Sequence, residues 1–308
     1  MRLTAAHKEP SKGLVIAAFA AVYIIWGSTY VGIALAIKTV PPFLMAGLRF
    51  FAAGFILYSW CIIKGERTPA IISVLKNSLA GILMLFCGTT ALIWSEQYLP
   101  SGLAAVIVAS VPFWFVLLDK KHWKENFADK FIIIGLLIGF TGILLLFIGK
   151  GAIDLHSKVQ LLAFIVLFIG SMLWSAGSLY SKYTTTIGST SIKASIQMMA
   201  AGIVGFIASF IGGEEHEFYW NQVSMSSLKA ILFLVFFGSL IGYIAYIWLL
   251  DVRPAAVVGT YAYVNPVVAM FLGWLLDKEA ISLIRVIALI VILSGVLLVN
   301  FSKYKKQT

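Results

Sequence analysis

The chain has 308 residues, of which 61% are hydrophobic and only 12% charged, and its mean hydropathy is +0.97. No soluble domain of this size carries that balance, and the stretches between apolar segments leave no room for a soluble catalytic or nucleotide-binding domain. The formal net charge of +10 would suit nucleic acid, but its placement along the chain reads instead as membrane topology.

A membrane-crossing helix needs roughly 20 apolar residues, and ten segments meet that need: 13–37, 42–63, 74–97, 99–119, 130–149, 159–181, 190–212, 227–250, 254–276 and 282–302. The first follows a basic stretch, as a secretory signal does. It is too long for one and has no small-residue cleavage site before Lys38, so it is expected to be retained. It carries Trp26, Ser28 and Tyr30, with positions 26 and 30 one helical turn apart on one face. The second span holds Arg49, seven residues inside its end and thus about 10 Å deep. The third ends on Trp94 and Glu96, and the fourth carries Pro112 near its middle. Gly135, Gly139 and Gly142 in the fifth form a close-approach face for helix packing. The sixth repeats the pattern of the first with Trp174 and Ser178, and the seventh holds Gln197. An acidic loop with Glu214, Glu215 and Glu217 precedes the eighth, which bears Tyr243 and Tyr246; the ninth bears Tyr261, Asn265 and Pro266.

With loops assigned alternately, the side that holds the termini carries sixteen of the Lys and Arg residues and the other side six, together with that acidic run. The positive-inside rule therefore places both termini in the cytoplasm, and the basic balance marks topology and anionic headgroups, with no nucleic-acid partner implied. Cys61 and Cys87 both fall inside spans, so a disulfide is not expected, and no cysteine or histidine spacing suits a metal.

The chain is written twice. A shift of 154 superposes Gly88 on Gly242, Trp94 on Trp248, Pro100 on Pro254 and Pro112 on Pro266; a shift of 148 superposes Trp26 on Trp174, Arg49 on Gln197, and Ala52-Ala53-Gly54 on Ala200-Ala201-Gly202. The two shifts imply a six-residue insertion at the acidic loop. Five spans per half is an odd number, so the second half sits upside down relative to the first, an arrangement that builds a midplane site exposed to alternate sides. The expected units are residues 1–150 and 151–308.

Certain segments carry a family likeness: Trp26-Gly27-Ser28-Thr29-Tyr30, Gly47-Leu48-Arg49-Phe50, the run from Trp94 to Gly102, Asn265-Pro266, and Glu279 after the ninth span. Over nearly the full length the chain resembles the drug/metabolite transporter superfamily, specifically its EamA-domain exporters. The resemblance implies an all-α integral membrane fold of ten helices in two inverted five-helix repeats. It also implies residence in a bacterial inner membrane and export of small metabolites such as amino acids, or of amphipathic toxic compounds. One departure stands out: the first half replaces the surroundings of Glu279 by the basic stretch Asp119 to Glu125, in which Glu125 aligns with Glu279.

Charge inside hydrocarbon costs at least about 2.5–3.5 kcal/mol on insertion scales, which makes Arg49 and Glu96 functional candidates. Arg49 is read as a contact for a substrate carboxylate and Glu96 as an outer gate or protonation site; the alternative is a structural ion pair tethering spans two and three. The cavity lining is expected from Trp26, Ser28, Tyr30, Arg49, Trp94, Trp174, Ser178, Gln197, Tyr243, Tyr246, Tyr261 and Asn265, against the alternative of interfacial belts and helix contacts. Pro112 and Pro266 are expected to kink their helices. No phosphate-cradling loop, metal set or activated nucleophile is legible, so the chain is not read as an enzyme and no cofactor is called for. The expectation is a monomeric secondary transporter, with the lipid bilayer and a small-molecule substrate as partners. Amino-acid export by alternating access is set against multidrug or nucleobase efflux, and more remotely against a membrane-embedded enzyme or a scaffold.

Overall fold

Serine or aspartate side chains begin five of the helices: Ser11, Asp129, Ser157, Ser189 and Ser224 each accept a hydrogen bond from an amide of the turn that follows. Pro41, Pro100 and Pro254 begin others, where proline has no amide to leave unpaired and its fixed φ suits helix entry. The protein is seen here as a computed structural model that describes residues 11–146, 153–154, 156–277 and 282–305, and no strand occurs among them. The principal helices in chain order are α1 (Lys12–Ala36), α2 (Pro42–Ile63), α3 (Ile71–Ser95), α4 (Ser101–Leu118), α5 (Lys130–Leu145), α6 (Lys158–Tyr183), α7 (Thr190–Ile211), α8 (Met225–Val252), α9 (Tyr261–Asp277) and α10 (Leu283–Lys305). Seven of them are long and apolar enough to cross a membrane; the apolar parts of α5, α9 and α10 are shorter. The expected boundary at 150/151 and Glu279 lie outside the described residues.

The burial pattern is that of a protein dissolved in hydrocarbon. Ile16, Ile63, Phe210, Ile211 and Leu283 are each at least 68% exposed, while Ser95, Ser175, Ser178, Ser195 and Gln197 are fully buried. In water the former would drive aggregation. Against lipid tails they cost nothing, and the small and polar side chains turn inward, where they let helices approach and find partners.

Helix contacts follow the repeat. α2 packs along α7, and α5 along α10; α1 lies against α8 and α9 as α6 lies against α3 and α4. Exchanging each helix for the one five places along maps the α2–α7 and α5–α10 contacts onto themselves and turns those of α1 into those of α6. The match extends to single residues. A Cβ on Gly54 would sit 2.6 Å from the amide nitrogen of Met199, and one on Gly202 would strike that of Phe51. Those glycines are 148 positions apart, as are Phe51 and Met199.

The ends of the α2–α7 pair are tied by repeat-related glutamates. Glu214, in the loop after α7, accepts from the first-turn amides of Phe43 and Leu44 in α2 at 3.1 and 2.8 Å. Glu66, after α2 and 148 positions earlier, accepts from Ser189, the cap of α7, at 2.6 Å. A carboxylate on exposed amides at a helix start pairs orphan donors and meets the positive end of the helix dipole.

Two helices are locally widened. α3 over Ile82–Thr90 and α8 over Leu234–Tyr243 make π-type turns, and a shift of 154 carries the first to 236–244, onto the second. Such turns are rare and are frequent at functional sites. α4 is interrupted between Val108 and Val111, so Pro112 stands in the opening turn of a new segment, whereas Pro266 lies inside α9.

Candidate functional site

The widened turns bring the two halves together. Gly242 in the π-turn of α8 faces Trp26 of α1, where a Cβ would stand 2.5 Å from the indole nitrogen. Gly88 in the π-turn of α3 faces Trp174 of α6, where a Cβ would stand 2.9 Å from that of the tryptophan. Each half thus offers a glycine to the tryptophan of the other. The i→i+5 geometry also re-aims carbonyls, and the Trp26 indole N–H donates to Gly238 O at 3.0 Å.

Around these tryptophans lies an aromatic cluster. Trp26 meets Trp174 edge-on at 5.5 Å and Tyr261 edge-on at 5.1 Å, and tilts against Tyr246 at 4.9 Å. Trp174 packs on Tyr246 at 5.3 Å and edge-on to Tyr243 at 6.5 Å. Edge-to-face contacts of this kind hold ring orientation as well as burying area.

On the side of the cluster toward the end of α3 opens a cavity of about 640 Å³, counting its mouth, walled by α1, α2, α3, α4, α6, α8 and α9. Of the residues expected to line it, Trp26, Tyr30, Arg49, Trp174, Tyr243, Tyr261 and Asn265 do so. Arg49 is 4% exposed. Its Nε donates to Ser239 Oγ at 3.0 Å, and its Nη2 lies against Gly238, where a Cβ would come within 2.9 Å. Its Nη1 has no hydrogen-bond partner. Glu96 is buried one turn beyond Leu92, which lines the cavity. The Asn265 amide, oriented so that its nitrogen donates, reaches Tyr23 O and Tyr261 O at 3.1 Å each.

Three more of the expected residues lie off the cavity wall, Tyr246 within the aromatic cluster and Ser178 and Gln197 bonded to its tyrosines. Tyr246 hydrogen-bonds Ser178 at 2.6 Å, and Tyr243 donates to Gln197 Oε1 at 2.6 Å while Gln197 Nε2 donates to Asn77 and Ser181. Two stand elsewhere: Ser28 spends its hydroxyl on Ile25 O within α1, and Trp94 packs edge-on to Tyr98 at 5.1 Å. Sequence reasoning passed over Phe50, Thr29, Ser171 and Ser239, all on the cavity wall. Ser239 could have been found only from the π-turn that points it at Arg49, because its repeat mate is Leu85.

The opposite end is closed by polar contacts. Lys182 Nζ donates to Leu250 O and Arg253 O at 2.6 and 2.9 Å, so the end of α6 seals the carbonyls that finish α8. Tyr183 donates to the Asp119 carboxylate at 3.1 Å, and His122 holds the same carboxylate at 2.9 Å. Among the described residues no three of His, Cys, Asp and Glu converge as a metal would require.

The sequence profile of the EamA-like transporter family matches residues 12–148 and again 161–301. The uncharacterized inner membrane transporter YedA of Escherichia coli (strain K12) is 38% identical over 286 residues, 92% of this chain and 90% of its own. The uncharacterized transporter YoaV of Bacillus subtilis (strain 168) is 22% identical, covering 93% of this chain and 96% of its own. A solved crystal structure superposes with a TM-score of 0.66 at 16% identity, over 94% of this chain and 98% of that one, a likeness of fold.

Proposed function

The chain belongs to the EamA-like transporter family and is a membrane transporter, and from that premise we propose that it exports small metabolites, amino acids foremost, by alternating access through the cavity between its halves. It resides in a bacterial inner membrane as a multi-pass protein, the location its relative YedA bears in its name. All ten helices cross, in two inverted five-helix repeats over 1–150 and 151–308, with both termini in the cytoplasm; one chain suffices, working as a monomer on a small-molecule substrate. The exchange symmetry of the helix contacts supports the inverted repeat, and the bias of basic residues supports the orientation.

The observation that carries the reading is the cavity itself, walled by both halves and holding an arginine with an N–H to spare. In this topology the cavity lies in the outer half of the membrane, while Tyr246–Ser178 and the Lys182 contacts close the cytoplasmic half. A rocking motion that breaks the second set and collapses the first would move a bound molecule between sides. Arg49, with one N–H unpartnered, is assigned to a substrate carboxylate and Glu96 to the role of gate or proton carrier. The chain holds no nucleotide-binding motif, which leaves exchange or a solute gradient as the driving force. Counterflow in proteoliposomes tests this: saturable uptake of labelled amino acids against an unlabelled internal pool, lost in folded Arg49→Ala protein, is expected. Absence of counterflow across the amino-acid panel refutes the amino-acid assignment.

A further inference from the structure

We propose, building on the transport reading above, that Tyr30 of α1 and Leu92 of α3 form the outer gate, which closes over the cavity when the cytoplasmic side opens, with Arg49 and Thr89 meeting one layer below. Exchanging the conformations of the two halves assigns these pairs. Their side chains make the outer closure weaker than the inner one, so the protein rests open to the outside.

The inner closure is on view. Ser178 of α6 hydrogen-bonds Tyr246 of α8 at 2.6 Å, and Gln197 of α7 accepts from Tyr243 of α8 at 2.6 Å. A shift of 148 in the first member and 154 in the second carries Ser178–Tyr246 onto Tyr30–Leu92 and Gln197–Tyr243 onto Arg49–Thr89. All four of these mates line the cavity. α6 packs against the end of α8, whereas α1 and α3 make no comparable packing contact. The pairs that shut the cytoplasmic side thus have their repeat mates standing open on the other, as two inverted halves in unlike conformations require. When the halves trade conformations, each open pair takes up the geometry of its closed mate. Gly242 with Trp26 and Gly88 with Trp174 are close approaches made in both halves at once, so these joints stay packed and serve as the pivot.

The trade is unequal. Opening the cytoplasmic side breaks the buried Tyr246–Ser178 hydrogen bond and the two from Lys182 Nζ to Leu250 O and Arg253 O. The mates of Tyr246 and Lys182 are Leu92 and Ala34. Neither of those side chains can donate, so closing the outer side gains apolar contact there without replacing the bonds lost. Water meets the freed groups once the inner side is open, so each bond costs its net value, a factor of about five in a two-state ratio.

Cysteines at the two gate positions test this. The full chain with Tyr30→Cys and Leu92→Cys, its native Cys61 and Cys87 replaced by alanine, is checked for folding by size exclusion and placed in nanodiscs. It is then treated with an ethane-bridged bis-methanethiosulfonate, and intact mass separates bridged from doubly capped chains. Bridging is expected to be sparse, and to rise about fivefold when Tyr246→Phe or Lys182→Ala is added, because each weakens the inner gate. Tyr30→Cys with Leu85→Cys is the control: both positions line the cavity, but their mates Ser178 and Ser239 are not bonded to one another, and this pair should not respond. Should the paired cysteines prevent folding, hydrogen exchange on Tyr246→Phe in the otherwise unchanged chain serves. The outer ends of α1 and α3 should gain protection while the cytoplasmic ends of α6 and α8 lose it. The proposal is overturned if bridging responds to neither substitution, if the control pair responds equally, or if exchange changes at the cytoplasmic ends alone. Counterflow of the unsubstituted chain is a separate readout: bridging that responds as expected, without counterflow, would remove the transport reading and leave the gate standing.

Discussion

Replacing Gly242 by alanine adds one methyl group where α8 meets Trp26, and its cost can be worked from the contacts. The new Cβ would lie 2.5 Å from Trp26 Nε1 and 2.9 Å from Cδ1, both well inside contact distance, so the indole must shift. Shifting it breaks the bond to Gly238 O and leaves a buried N–H unmade, about 1–3 kcal/mol. It also disturbs the edge contacts with Trp174 and Tyr261, an overpacking cost of about 1–3 kcal/mol. Against this, alanine in place of glycine inside a helix gains only about 1 kcal/mol. The balance is a loss of about 1–5 kcal/mol, concentrated at the junction of the halves. Thermal unfolding of purified protein, followed by intrinsic tryptophan fluorescence, is expected to show a lower midpoint, and counterflow a lower rate. Gly13→Ala, whose Cβ would meet nothing within 4 Å, is the matched control and should leave both unchanged. If Gly242→Ala unfolds and transports as the parent chain does, the glycine is not what admits Trp26 and the reasoning fails.

Two further outcomes rest on single contacts. Glu214→Ala removes the acceptor for the amides of Phe43 and Leu44, a helix-start loss of about 1–2 kcal/mol, and hydrogen exchange should quicken in the first turn of α2 while the middle of α2 stays protected. Ser178→Ala leaves the fully buried Tyr246 hydroxyl without its 2.6 Å partner and should destabilise by about 1–3 kcal/mol. Adding Tyr246→Phe removes the orphaned group, so the double variant should unfold closer to the parent than Ser178→Ala does; a strictly additive double variant would show the pair to be uncoupled.

The membrane class, the helical character and the recurrence of residues at fixed shifts were legible in the sequence, because each is written in short-range terms. About 20 apolar residues cross hydrocarbon wherever they occur, and Ser157, Ser189 and Pro100 mark helix starts through bonds to their own neighbours. The recurrence of Trp26 at Trp174 and of Gly88 at Gly242 is visible by counting. What those residues are for was not. That Gly242 receives Trp26 and Gly88 receives Trp174 depends on one half meeting the other, and on π-turns that no local pattern announces. Arg49 was legible as a buried charge, yet its anchor on Ser239 is 190 positions away, and Ser28 and Trp94, alike in composition to true wall residues, face other neighbours. Glu66 and Glu214 read as loop charges until folding set each beside the opposite repeat's helix. Hydrophobic spacing fixes which face of a helix meets lipid; the directions of polar side chains are set by partners far along the chain, and only the assembled tertiary structure decides those.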